Sequence, residues 1–317
     1  MSKQKKQGGG DGESPFETLC MIYEKRFREM GIPMYPAFQE KMNQMQEDDV
    51  EFEQLHLWEP TNPNALQVIF AAIHEAKIDT LKSVRFWKIK AQDEGVRALS
   101  KYMMQNKTVE VVDLLDNEIT PLGCEFLGRA LHPSCNETTR KLSMDHNVFG
   151  DAGLAQLNVG LAINPNIQHL SLTYCGLTEH AANFMQQILA FTESKIEYLN
   201  LQGNELGNKG VKALLEAVKI NACILELGLA DNQFGEKVVD DIVEVVKFVP
   251  QIYCIDIKHN GIYEEGAEKI FKACEPKKST KVEMSLEQPI ELANKINTFM
   301  AKIKPKKKKG MKGMMKK

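Results

Sequence analysis

The 317-residue chain lacks long hydrophobic runs, and its longest unbroken apolar stretch is the six residues Val68–Ile73. A membrane-spanning helix needs about 20 mostly apolar residues, so the sequence predicts no transmembrane segment. No apolar core follows the lysines near the N-terminus, and a secretory signal peptide is therefore not predicted either. We expect a soluble, cytoplasmic protein.

The chain also lacks the residue spacings of metal sites and of known catalytic motifs. Its seven cysteines are dispersed and odd in number, and none forms a C-x-x-C pair, which argues against a disulfide framework or a zinc site. There is no P-loop, G-x-S-x-G, H-E-x-x-H or G-x-G-x-x-G sequence. We expect no catalytic residue, no bound metal, no cofactor and no small-molecule substrate.

What the chain does contain is an internal repeat of about 28 residues. The template is Ile196-x-x-Leu199-x-Leu201-x-x-Asn204-x-Leu206. The same offsets recur in seven units that start at residues 81, 109, 139, 167, 196, 224 and 252, and a degenerate unit starts at residue 52 and departs from the pattern at Pro60–Pro63. Such regularity indicates a solenoid, in which each unit buries its apolar face against its neighbours.

Each part of the unit has a structural reason. The alternating leucines have the period of a strand and point inward. The asparagine ends the strand, where its amide can satisfy buried backbone groups of adjacent coils. Val211, Leu214, Leu215 and Val218 then follow helical spacing. The unit therefore predicts one strand and one helix.

The pattern L-x-x-L-x-L-x-x-N-x-L with this period resembles the leucine-rich repeats of the ribonuclease-inhibitor type. That group includes ribonuclease inhibitor, the Ran GTPase-activating protein and ciliary axonemal subunits. The resemblance implies an α/β leucine-rich-repeat solenoid, or horseshoe, with parallel strands on the concave face and helices on the convex face.

Helical caps are expected at both ends of the solenoid. At the N-terminus, helices near Phe16–Phe27 and Ala37–Gln46 would cover the first repeat, and the alternative is a separate docking hairpin. At the C-terminus, a strand near Val282–Leu286 would precede a helix. The expected order is a disordered leader (1–14), an N-terminal cap (15–51), repeats (52–275), a C-terminal cap (276–301) and a disordered lysine-rich tail (302–317).

Outward side chains of the predicted strands would form a partner-binding surface. Both tryptophans of the chain, Trp58 and Trp87, occupy the same offset in neighbouring units. Trp, Tyr and Arg dominate interface energetics. The predicted partner-binding residues are Trp58, Arg85, Trp87, Asp113, Leu115, Asp116, Asp145, Tyr174 and Tyr198. The alternative is that the N-terminal helices fold over the tryptophans and bury them.

The C-terminal tail reverses the charge of the rest of the chain. Residues 302–317 contain nine lysines and no acidic residue, so the total of −3 conceals −12 on residues 1–301. The centre of this electrostatic tail is Lys306, Lys307, Lys308 and Lys309. It could solubilise the chain or direct nuclear import, contact an acidic polymer such as tubulin or RNA, or contact an anionic membrane. The tail has no aromatic residues, which argues against a nucleic-acid partner.

These features favour a non-enzymatic scaffold for protein–protein interaction. The resemblance to axonemal subunits, together with the tail, favours a cytoskeletal or ciliary axoneme subunit that binds tubulin or an axonemal complex. The alternative is a GTPase-activating protein that resembles the Ran regulator, for which Arg85 would be the residue to suspect. Members of that family carry an acidic C-terminal region, whereas this chain ends in lysine.

Overall fold

The structure, a computed structural model, describes residues 15–48, 51–285 and 290–304. The predicted leader (1–14), Leu286 and the tail residues Lys306–Lys309 therefore lie outside the described residues. The strands are β1 (Gln54–Leu57), β2 (Ser83–Phe86), β3 (Val111–Asp113), β4 (Lys141–Ser143), β5 (His169–Ser171), β6 (Tyr198–Asn200), β7 (Glu226–Gly228), β8 (Cys254–Asp256) and β9 (Lys281–Glu283).

These nine strands form one parallel sheet in which every strand pairs with the next one along the chain. The register aligns equivalent offsets of successive units, so Leu142 pairs with Leu170, and Leu170 pairs with Leu199. These leucines are fully buried, whereas the residues on either side of them are mostly half-exposed. The predicted parallel arrangement is confirmed.

Each connection between consecutive strands contains a helix. The helices are α1 (Pro15–Met30), α2 (Pro36–Asp48), α3 (Pro63–Glu75), α4 (Gln92–Gln105), α5 (Pro121–Ala130), α6 (Gly150–Leu161), α7 (Ala181–Ala190), α8 (Gly207–Ile220), α9 (Val239–Phe248), α10 (Glu264–Lys277) and α11 (Ile290–Met300), with a short 3-10 turn at Glu236–Val238. Helices α3 to α10 pack beside one another on the convex side of the core. The α/β solenoid predicted from the repeat is confirmed.

The unit at residue 52 is complete even though its sequence departs from the repeat. Its strand β1 pairs with β2 along four residues. The Asn62 side chain then accepts a hydrogen bond from the backbone N–H of Asn64 at 3.0 Å and caps α3, with Pro63 at the first helical position. The prolines that interrupt the pattern therefore start the helix of this unit.

Buried asparagines link successive coils of the solenoid. The Asn147 amide donates to the carbonyl oxygens of Leu114 (2.7 Å) and Met144 (2.9 Å), and its oxygen accepts from the backbone N–H groups of Asn117 (2.8 Å) and Ile119 (3.2 Å). Similar bonds are made by the buried Asn117, Asn204 and Asn232 and by the half-buried Asn260. The ladder satisfies backbone groups that the short strands leave unpaired.

In the turn that follows each strand from β2 to β8, one residue has a left-handed backbone conformation. The residue seven positions after the start of the unit has φ between 53° and 71° in all seven clear units. These residues are Lys88, Asp116, His146, Tyr174, Gly203, Asp231 and His259. Bulky residues rarely adopt this conformation. The repeat thus presents side chains such as that of Tyr174 at a fixed angle beside the sheet.

Helices α1 and α2 pack on the first repeat. The hydroxyl of Tyr23 donates to the carbonyl oxygen of Tyr35 at 3.2 Å and accepts from the Tyr35 N–H at 3.0 Å. Burial raises the pKa of Tyr23 to about 12. The ring of Phe38 meets Phe52, just before β1, with 6.2 Å between centroids. This packing gives α1 and α2 the position of a cap.

At the other end, α11 covers the last coil. The rings of Phe271 on α10 and Phe299 on α11 form an edge-to-face pair with 5.3 Å between centroids. Ile296 and Met300 are buried on the inner side of α11. Together with the final strand β9, α11 closes the apolar interior of the solenoid.

One pair of convex helices approaches unusually closely. A Cβ atom added at Gly160 of α6 would collide with the carbonyl oxygen of Gly128 on α5, and a Cβ added at Gly128 would collide with the backbone of Gln156. Only glycine allows backbone contact of this kind.

Candidate protein-binding site

The two tryptophans lie side by side at the N-terminal end of the inner face. Trp58 directly follows β1 and Trp87 directly follows β2, and the N–H of Trp87 donates to the carbonyl oxygen of Leu57 at 3.0 Å. The side chains are exposed by 65% and 43%, respectively. The N-terminal helices therefore do not bury them, and that alternative was wrong.

Arg85 and Asp113 support Trp87 from the neighbouring strand positions. Arg85 pairs with His56 on one side and with Asp113 on the other in the sheet register. Burial raises the pKa of Asp113, and this effect is opposed by a hydrogen bond from the Trp87 side chain and by the positive charges of Lys141 and Arg85. The Trp87 side chain therefore lies next to the Asp113 carboxyl group.

The Arg85 side chain is only partly satisfied. Its Nε atom is buried and has no hydrogen-bond partner among the described residues. Burial, followed by the positive charges of Arg85 and Lys41, lowers the pKa of His56 to about 4, so His56 is neutral at pH 7. His56 Nε2 lies 3.0 Å from Ser83 Oγ.

The three aspartates of the predicted set have different environments. Asp116 is exposed enough to pair with Lys88, at 3.6 Å between Nζ and Oδ2. Asp145 accepts hydrogen bonds from the hydroxyls of Ser143 (2.9 Å) and Ser171 (2.7 Å) and from the Thr173 N–H (2.8 Å). Asp145 thus joins neighbouring coils, whereas Asp116 faces solvent. Leu115 is half-buried between these levels.

Tyr174 and Tyr198 lie in later repeats and form two further aromatic pairs. The ring of Tyr174 stacks on His146 with 4.7 Å between centroids and an interplanar angle of 16°. Tyr198 packs against His169 with 5.6 Å between centroids, and burial raises the pKa of its hydroxyl. The structure thus gathers Trp58, Arg85, Trp87 and Asp113 and separates both tyrosines from them.

The predicted set omitted residues that position Tyr174. The Gln202 amide donates to the Tyr174 hydroxyl at 3.4 Å, and the ring lies where a side chain at Gly203 would collide with it. His146 occupies the same offset as Tyr174 one unit earlier, and this shared offset is the signal that could have identified the pair.

Across residues 15–48, 51–285 and 290–304, no group of three or more His, Cys, Asp or Glu side chains could hold a metal ion. The cysteines form no disulfide, and burial raises the pKa of Cys254 and of Cys274 to about 12, so both thiols stay protonated at pH 7. None of the helices in these ranges is long and apolar enough to cross a bilayer.

Comparison with known proteins gives partial matches to repeat proteins. The "Leucine Rich repeat" family model matches residues 105–128 and 193–215. NACHT, LRR and PYD domains-containing protein 3 of Rattus norvegicus is 32% identical over 42% of this chain and 13% of its own length. Protein 13 of the same series from Homo sapiens is 27% identical over 51% of this chain and 18% of its own length. Ribonuclease inhibitor of Mus musculus is 35% identical over 37% of this chain and 25% of its own length.

This chain therefore spans at most a quarter of the length of these relatives. Among solved structures, an internalin of Listeria monocytogenes gives a TM-score of 0.34 at 10% identity, covering 80% of this chain and 72% of the internalin chain. The TLR13–ssRNA13 complex gives a TM-score of 0.42 at 13% identity, covering 80% of this chain and 44% of the other.

Proposed function

Because the chain is a leucine-rich-repeat protein of the ribonuclease-inhibitor type, we propose that it is a non-enzymatic scaffold that binds a protein partner through the N-terminal part of its inner face. Leucine-rich-repeat proteins act as protein-binding scaffolds. We place the main contact at Trp58, Trp87, Arg85 and Asp113.

The exposure of two adjacent tryptophans carries this proposal. If a free tryptophan side chain offers roughly 250 Å², exposures of 65% and 43% leave about 270 Å² of mostly apolar surface. Burying that surface in an interface would contribute at most about 7 kcal/mol at 25 cal/mol per Å². Central aromatic residues of this kind commonly cost about 2 kcal/mol or more of binding when truncated.

Arg85 adds a polar requirement to the same surface. Its Nε atom is enclosed and has no partner within the described residues, but Arg85 as a whole is only half-buried, so the rest of its guanidinium group can donate to a carbonyl or carboxylate oxygen of a partner. Hydrogen bonds to charged groups contribute about 1.5–3 kcal/mol. We therefore expect the partner to place an oxygen acceptor beside an apolar contact.

The test compares Trp58→Ala and the Trp58→Ala/Trp87→Ala double variant with Tyr263→Ala. Tyr263 is a matched control because it is 71% exposed but lies before α10, at the far end of the solenoid. Full-length protein is immobilised and partners are quantified by mass spectrometry. The double variant should lose partners that wild type and Tyr263→Ala both retain.

Thermal unfolding of the same variants separates binding from folding. Trp58→Ala should leave the melting temperature nearly unchanged, whereas Trp87→Ala should lower it modestly because Trp87 is the more buried of the two, at 43% exposure against 65%. Equal partner recovery by the double variant and wild type would exclude this surface. A large fall in the melting temperature of Trp58→Ala would instead indicate a structural role.

We further propose that the partner belongs to the cytoskeleton or the ciliary axoneme, with tubulin as the first candidate, and that the protein works in the cytoplasm. The support is the sequence resemblance to axonemal subunits and the lysine-rich tail, including Lys306–Lys309. An acidic polymer such as tubulin would attract this tail in a salt-dependent manner. Crosslinking mass spectrometry on the native complex tests this proposal. Crosslinks only to membrane or nucleic-acid-binding proteins would contradict it.

The GTPase-activating alternative rests on Arg85 alone. An arginine finger must reach the nucleotide phosphates of its target, whereas Arg85 is half-buried in the sheet with its Nε enclosed. No feature of this geometry favours that alternative. A single-turnover GTPase assay at stoichiometric protein would reveal stimulation if it occurs.

A further inference from the structure

A trough of about 470 Å³ lies on the convex side at the N-terminal end, away from the inner strand face. Its floor is α3, which contributes Gln67, Ala71 and His74 at helical spacing. One wall is the end of α1, and the other is α4 with Arg97, Lys101 and Gln105, each four residues after the last. Three helices thus enclose a volume typical of ligand sites.

The charge of the trough is opposite to that of the body around it. Its lining includes the cations Arg26, Arg97 and Lys101 but only one carboxylate, that of Glu75. Residues 1–301 as a whole carry −12. A local cationic surface on an acidic body selects for an anionic ligand.

The cations differ in how far they are already engaged. Arg26 is bound by Glu75 through both carboxylate oxygens, and this pair fixes α1 against α3. Arg97 pairs with Glu94, three residues before it on the same helix, and remains about half-exposed. Lys101 has no ion pair among the described residues. Lys101 and the outer face of Arg97 are therefore available to a ligand.

The interior of the trough is partly apolar. Val68, Phe70, Ala98 and Tyr102 line it and are buried in the helix packing. Met30 stands at the α1 wall and is 49% exposed. Methionine is flexible and polarisable and adapts to varied apolar side chains. The lining therefore suits a ligand that combines carboxylates with an apolar group.

We propose that this trough binds an acidic peptide segment of a partner protein. An apolar side chain of the segment packs between Met30 and the α3 floor at Ala71, and flanking carboxylates contact Lys101 and Arg97. The segment comes from another protein, because residues 1–14 and 305–317 of this chain both carry net positive charge. The contact is separate from the inner-face site and does not depend on it.

The probe is the fluorescein-labelled peptide EELFEELFEE, and its binding to the full-length protein is followed by fluorescence anisotropy. The double variant Arg97→Glu/Lys101→Glu should weaken binding at least tenfold, and Arg97→Gln/Lys101→Gln should weaken it less. The matched control is Lys209→Glu/Lys212→Glu, which makes the same charge change at two ion-paired residues of α8. The control should bind as wild type does.

Two further measurements test the apolar part. Ala71→Phe fills the floor without changing charge and should also weaken binding at least tenfold, while thermal unfolding reports whether each variant is folded. The peptide EESSEESSEE keeps every carboxylate and should bind at least tenfold more weakly to wild type.

Several outcomes would overturn the proposal. One is equal affinity of the wild-type protein for the two peptides. Another is a loss of affinity in Lys209→Glu/Lys212→Glu as large as that in Arg97→Glu/Lys101→Glu. The third is unchanged affinity in Arg97→Glu/Lys101→Glu. If binding is unchanged in Arg97→Glu/Lys101→Glu but is lost when residues 305–317 are deleted, the peptide binds to the lysine-rich tail and not to the trough. If RNA binds to the trough more tightly than the peptide, the partner class is wrong.

Discussion

Replacing Asn147 with alanine tests how much the asparagine ladder contributes to the solenoid. The side chain is buried and bonds five backbone groups, with distances between 2.7 and 3.3 Å. Alanine would leave the N–H groups of Asn117 and Ile119 without an acceptor. At about 1.5 kcal/mol for each orphaned donor, we expect the free energy of unfolding to fall by about 3 kcal/mol.

The chain supplies a control at the equivalent position of the next unit. Cys175 takes the place of the asparagine, and its thiol makes only long contacts of 3.4 Å to the carbonyl oxygens of Met144 and Thr173. The Cys175 sulfur faces the backbone N–H of Asn147 but is only a weak acceptor, so for Cys175→Ala we expect a loss of about 1 kcal/mol. Urea denaturation followed by far-ultraviolet circular dichroism measures both variants. The reasoning fails if the two losses agree within about 0.5 kcal/mol at equal m-values.

Two further variants test the inner face. The pKa of His56 is lowered from 6.5 to about 4, so the unfolded chain binds a proton in this interval that the folded chain does not, and stability should fall as the pH decreases from 6.5 to 4. His56→Gln should reduce this slope in melting temperatures measured across the interval, and an undiminished slope would contradict the assignment. Gly203→Ala combines a φ of 71° with a collision against the Tyr174 ring, and we expect it to cost about 2 kcal/mol of unfolding free energy. Gly207→Ala also has positive φ (58°), but a Cβ there meets no atom within 4 Å, so about 1 kcal/mol is expected. Equal losses in urea denaturation would show that the Tyr174 contact contributes nothing.

The repeat made most of the fold predictable from sequence. Each unit shows first the strand period and then the helix period. A parallel stack of units is the arrangement that buries the apolar faces of both the strands and the helices. The first unit was harder, because Pro60 and Pro63 break the pattern. Those residues nevertheless carried a local signal, since an asparagine followed by proline commonly begins a helix.

The candidate sites were less accessible to sequence reasoning. Equivalent offsets predicted that Trp58 and Trp87 would be neighbours, but the position of the Trp87 side chain next to Asp113 depends on side-chain rotamers across two strands. The trough could not be predicted at all from the strand face. It arises where α1 packs on α3, and a contact between a cap helix and a repeat has no periodic signature.

The contact between Gly128 and Gly160 has a consequence for the shape that a partner must have. In a solenoid the strands are spaced by about 4.8 Å and the helices by about 8–10 Å, and this difference bends each coil relative to the next. Where two glycines let the helix backbones touch, the outer spacing shrinks toward the inner one and the bend decreases. We therefore expect the inner face beside α5 and α6 to be flatter than elsewhere, and a partner that bound both the tryptophans and Tyr174 would need a correspondingly flat surface.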